Sequence, residues 1–151
     1  MITPKRLAHL VLRVRDINCS EKFYTDVLGL KVTSREMGMV FMSARNRPSH
    51  ELALAPARTV TPAPEIGCVG LSHFAWEMNS FEELKKIYEH LKKQRVNITG
   101  IGDHGISLGV YFQDPDGNKV EVFYELPKEQ WPTDGLFHGK FPLSLEEDGG
   151  P

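Results

Sequence analysis

The chain repeats itself, and that limits what it can fold into more than any single motif does. Leu7-Ala8-His9-Leu10-Val11-Leu12-Arg13-Val14 is matched by Leu71-Ser72-His73-Phe74-Ala75-Trp76-Glu77-Met78, with the two histidines 64 positions apart (73 − 9). Tyr24 and Tyr88 keep that offset, as do Val32 and Val96. A repeat at one period marks a duplicated supersecondary unit. Each copy reads as strand, helix and three strands. In the first, Ser20 is the expected N-cap of a helix ending near Leu28 at Gly29, and Lys31 to Ser34, Val40 to Ser43 and Glu51 to Ala55 have strand character. In the second, Ser80 caps a helix from Phe81 to about Gln94 whose Leu84, Ile87, Tyr88 and Leu91 form one apolar face. Strands are expected over Asn97 to Ile101, Ser107 to Gln113 and Lys119 to Tyr124. The fold class is thus α+β, built from two tandem βαβββ modules at about residues 5–56 and 69–126. A Pro/Ala-rich linker at about 57–68 joins them, and an irregular tail follows at about 127–151.

Composition narrows the function. With 151 residues, 40% of them hydrophobic, the chain can bury one sizeable core, as a single domain of two closely packed modules. Eighteen basic residues against 20 acidic ones leave a net charge of −2 with no Lys/Arg run, so the footprint of a nucleic-acid binder is absent. Small molecules are the expected partners. The first residues form neither a signal peptide nor a membrane span, so no membrane partner and a cytoplasmic location are expected. Cys19 and Cys68 have no metal-finger or CxxC spacing and read as structural.

The chemistry concentrates near the end of the second copy. Gly102-Asp103-His104 is followed by Val110-Tyr111-Phe112-Gln113-Asp114-Pro115-Asp116-Gly117-Asn118-Lys119-Val120-Glu121. Asp-Pro-Asp-Gly-Asn is a strong turn signal, because Pro presets φ and Gly or Asn accepts positive φ. The flanking segments then pair as a hairpin. Glu121 sits among apolar residues, and a buried carboxylate is costly unless it is paired or bound to a metal.

This doubled module, with His9 and His73 on the first strand of each copy and Glu121 on the last strand of the second, resembles the vicinal oxygen chelate (glyoxalase/bleomycin resistance/dioxygenase) superfamily. The run from Gly102 to Glu121 is most similar to the signature of single-domain type I extradiol ring-cleavage dioxygenases, and the likeness covers roughly the first 125 residues. It implies a metal site in a curved mixed sheet, with His9, His73 and Glu121 matching a facial triad that holds non-haem Fe(II) or, less commonly, Mn(II). His50 matches the acid/base histidine of that family; His104 and Tyr111 match the residues that hydrogen-bond substrate oxygens. The implied reaction joins O2 and a catechol-type aromatic diol, and a homo-oligomer is the implied assembly. Imidazole titrates near neutral pH, so His50 suits a proton taken from the diol and later returned. Trp76, Phe112, Phe123 and Trp131 are expected pocket walls, His90 a solvated helix residue, and His138 a surface or lid residue.

The same superfamily offers other reactions. A glyoxalase I-like lyase would add a fourth protein ligand, and Glu51 stands near where it would fall, giving His9, Glu51, His73 and Glu121. Successive strand side chains point to opposite faces, so His50 and Glu51 cannot both face the metal. His104 and Tyr111 have no obvious duty in that scheme. A drug-binding resistance protein would lack the triad, and a thiol transferase would not need His50, His104 and Tyr111.

Overall fold

The computed structural model describes residues 1–45, 49–59, 67–133 and 145. The chain divides into two compact units, Met1–Pro62 and Ala63–Pro151. In the first, β1 (Leu10–Val14) leads through Arg15 to α1 (Ile17–Leu28), followed by β2 (Lys31–Glu36), β3 (Met39–Ser43) and β4 (Leu52–Pro56). In the second, β5 (Phe74–Glu77) leads to α2 (Phe81–Lys93), then β6 (Ile98–Asp103), β7 (Ser107–Gln113) and β8 (Lys119–Glu125), with a short 3-10 turn at Lys128–Gln130. Each unit holds a four-stranded mixed sheet. The orders are β1-β4-β3-β2 and β5-β8-β7-β6, in which the first pair is parallel and the others antiparallel. This is the expected α+β architecture of two βαβββ modules. No described helix is long and apolar enough to cross a membrane.

Each sheet buries one face against its own helix. In the first unit Leu12, Val14, Val40, Met42, Leu52 and Leu54 are buried with Tyr24 and Val27 of α1, which packs on β3 and β4. In the second, Val110, Phe112, Val120 and Val122 are buried with Leu84, Tyr88 and Leu91 of α2, which packs on β7 and β8. Alternation sends the intervening side chains to the opposite face. That face carries Val11, Phe41 and Ala53 in one row of the first sheet, and Ala75, Glu121, Tyr111 and Gly100 in the matching row of the second.

Local detail departs from expectation in four places. The N-cap of α1 is Asp16 rather than Ser20: its carboxylate accepts from the backbone N–H of Asn18 (2.8 Å) and Cys19 (3.1 Å), and Ser20 lies buried within the helix. Ser80 does cap α2, accepting from Glu83 N–H at 3.2 Å, and Gly29 ends α1 with φ +67°. The histidines stand one residue ahead of β1 and β5 rather than on them, identically in both copies. The counterpart of Val32 is Ile98, not Val96, since the sheet irregularities fall at Val32/Ser34 and Ile98/Gly100 and α2 is one residue longer than α1. Cys19 and Cys68 are free and exposed, so they do not serve the core. Most of the proposed linker and tail, His138 included, lies outside the described residues.

Candidate active site

The second unit gathers its polar groups on the face away from α2. The tight turn between β6 and β7 projects His104, with Asp103 Oδ1 accepting the Gly105 N–H at 2.6 Å and His104 N–H donating to Ser107 O at 2.8 Å. Gly105 takes φ +82° there, a conformation that costs glycine little. The β7–β8 hairpin sets Tyr111 opposite Glu121. Its turn is held by the buried Asp114, whose Oδ1 accepts from Asp116 N–H (2.9 Å) and Asn118 N–H (2.8 Å) and whose Oδ2 accepts from Asn118 Nδ2 (2.8 Å). The parallel β5–β8 pairing places Ala75 beside Glu121, and two residues earlier His73 falls on the same face.

The result is a buried carboxylate surrounded by nitrogen and hydroxyl groups. Glu121 is 7% exposed; His73 Nε2 lies 3.3 Å from its Oε2 and His104 Nε2 lies 3.9 Å from its Oε1. His104 Nε2 and the Tyr111 hydroxyl are 2.7 Å apart. Burial, then the hydrogen bond to Glu121 and its charge, push the Tyr111 phenol well above its usual pKa, so it remains a donor across the working pH range. An ionised carboxylate only accepts, so Tyr111 O–H donates to Glu121 and its oxygen is left to accept from His104 Nε2–H. Lys119 Nζ sits 4.6 Å from the centre of the Tyr111 ring.

The first unit assembles a smaller set. His9 and His50 have ring centres 4.8 Å apart, and the Phe41 ring is 4.9 Å from His50, edge-on. Glu51 is occupied elsewhere: its Oε2 accepts the Ala44 N–H at 3.2 Å. Among the described residues no three His, Cys, Asp or Glu side chains are drawn into one metal-holding group. His9 lies beside His50, and Glu121 has His73 at one oxygen and His104 near the other. A buried carboxylate with imidazole nitrogens at its edge is nevertheless the donor chemistry that suits a divalent transition metal.

Other expectations are corrected. Phe112 and Trp76 belong to the rows packed toward α2, paired in register with Val120 and Val122, and so do not wall the site. Trp131 turns its Nε1–H to Leu126 O at 2.9 Å. Phe123 stays on the site face, in register with Gly109. His90 is half-buried on α2 rather than solvated. Phe41 and Lys119 escaped the sequence reading because contact across strands depends on register, which a strand's own composition does not encode.

The sheet pairings also identify which residue of the first copy corresponds to Glu121. Val11, two residues after His9, pairs with Ala53; Ala75, two after His73, pairs with Glu121. The counterpart of Glu121 is therefore Ala53, and Glu51 lies two residues short of it.

Two repeated βαβββ modules, each with a histidine one residue ahead of its first strand, define the class of fold. The family described as the Glyoxalase/Bleomycin resistance protein/Dioxygenase superfamily matches residues 6–122, and the chain belongs to it. It is 29% identical to biphenyl-2,3-diol 1,2-dioxygenase 3 of Rhodococcus globerulus, over 97% of this chain and 82% of that protein. It is also 29% identical to catechol-2,3-dioxygenase of Bacillus subtilis (strain 168), over 85% of this chain but only 44% of that relative's length. The crystal structure of lactoylglutathione lyase from Agrobacterium tumefaciens superposes with a TM-score of 0.61 at 26% identity, covering 80% of this chain and 94% of that one. Proteins named as dioxygenases and one named as a lyase are thus both among its relatives.

Proposed function

We propose that the protein is a metal-dependent extradiol ring-cleavage dioxygenase acting on a catechol-type aromatic diol with O2. The observation that carries this reading is the pairing of Val11 with Ala53. A glyoxalase-type site needs a fourth protein ligand from the first module, and the place equivalent to Glu121 holds a methyl group. Glu51 does not substitute for it, being committed to the Ala44 N–H. His50, in contrast, lies against His9. That leaves three protein ligands and open positions, which oxygen chemistry on a diol requires.

In this reading His9, His73 and Glu121 hold Fe(II), with Mn(II) as the alternative occupant. The metal when bound supplies adjacent sites for the diol and O2 and a path for electrons between them. The chain's own residues handle protons and orientation. His50, next to the ligand His9 and held edge-on by Phe41, takes a proton from one diol hydroxyl and returns it as the ring opens. Tyr111 keeps its proton and donates it to Glu121, holding the carboxylate in place, while His104, hydrogen-bonded to the Tyr111 hydroxyl, stands ready to turn toward the substrate oxygens. The cytoplasm is the proposed location and a homo-oligomer the proposed assembly.

The test is oxygen uptake with simultaneous visible absorbance, on anaerobically purified, Fe(II)-loaded protein and a panel of catechols, with His50→Ala alongside. Stoichiometric oxygen consumption and a yellow ring-opened semialdehyde, both at least about 100-fold slower in the variant, are expected. A metal-loaded protein that consumes no oxygen with any diol, and instead isomerises a hemithioacetal, would replace this reading with the lyase.

A further inference from the structure

We infer that Gly109 is a positioning residue, kept without a side chain so that the Glu121 carboxylate can lie over the backbone of β7. Glycine in the middle of a strand is unfavourable, because it loses more entropy on ordering and packs nothing. A left-handed backbone is one reason to find it there. Gly109 is not among the glycines with positive φ, so its backbone would accept alanine. The reason lies in space. A Cβ built on Gly109 would overlap Glu121 Oε1 and stand 3.3 Å from its Cδ and 3.6 Å from its Cγ.

The geometry shows what that space secures. Tyr111 pairs directly with Glu121, while Gly109 is two residues away on the same face of β7, beside Phe123 and opposite Gly102 of β6. Glu121 therefore reaches diagonally across the strand, with Oε1 over Gly109 on the side of His104 and Oε2 turned toward His73. A methyl group at 109 pushes the carboxylate off this seat, and Oε2 is carried out of line with His73. The consequence for a metal ion rests on the reading above, in which His73 and Glu121 are ligands. The steric claim does not.

A four-protein cycle separates the two: wild type, Gly109→Ala, Glu121→Ala and the double variant, each followed by thermal unfolding in EDTA and by Mn(II) titration. In EDTA, Gly109→Ala is expected to lower Tm by about 3 °C or more when Glu121 is present, and to leave it unchanged or raise it when residue 121 is alanine. Mn(II) affinity is expected to fall at least about tenfold in Gly109→Ala while far-ultraviolet circular dichroism is kept. An equal Tm loss in both backgrounds overturns the inference, as does unaltered Mn(II) affinity in Gly109→Ala where Glu121→Ala lowers it; affinity unaltered in both variants counts against Glu121 as a ligand instead. If Gly109→Ala alone does not fold, the double variant must fold; a double variant that is also unfolded counts against it. A wild type that takes up no Mn(II) sinks the metal reading instead, and leaves the Tm comparison to decide the role of Gly109.

Discussion

Tyr111 shows how one residue's environment becomes measurable. Its phenol is buried and hydrogen-bonded to a carboxylate, so its pKa in the folded protein lies above the ordinary value of 10.0. A proton held more tightly in the folded state stabilises it fully below about pH 10, and that contribution is lost as pH rises through the folded-state pKa. The stability of wild type should therefore decline in the alkaline range, and Tyr111→Phe should show a flatter decline there; chemical denaturation between pH 8 and about 11 measures both. Parallel slopes would show that Tyr111 is not the group concerned. Glu51 makes the complementary case. Because its carboxylate serves the Ala44 N–H, Glu51→Gln should change Mn(II) affinity by less than about threefold, whereas a fourth ligand would lose tenfold or more. Isothermal titration decides between them. From sequence alone His50 is preferred to Glu51 for the one inward position only because His104 and Tyr111 have no duty in the lyase scheme; strict alternation does not choose between them, since β4 begins only at Leu52.

At the scale of elements, the helices and the β7–β8 hairpin were the most legible. Ser80, Gly29 and the Asp114-to-Asn118 turn each act through a local hydrogen bond or a local φ, which a short stretch of sequence specifies. The start of α1 was less so. Asp16 and Ser20 are both good caps, and what selects Asp16 is the end of β1 at Val14, which leaves one residue before the helix must begin. Asp16→Ala should cost about 1 kcal/mol, read as a lower midpoint in urea with unchanged slope, and a variant as stable as wild type would remove the cap from the account.

At the scale of the whole molecule, the ligands proposed for the metal, His9, His73 and Glu121, come from both copies of the sequence repeat. Metal bound by this set should raise the thermal stability of the protein. At 100 times its dissociation constant Mn(II) would add about 2.7 kcal/mol, a rise in Tm of about 5–10 °C. His9→Ala and His73→Ala should each abolish the rise, although they alter different units. A rise that survives either substitution would refute the proposed ligand set. The sequence by itself determined the duplication, the α+β class and the residues able to carry chemistry, because repeats, helical periodicity and turn residues act over a few neighbouring positions. Only the tertiary structure decided that Ala53 and not Glu51 answers to Glu121, that His50 lies against His9, that Phe112 and Trp76 face α2, and that Gly109 leaves room for a carboxylate. Each of these depends on the register between strands far apart in the chain, where a shift of one residue exchanges the two faces.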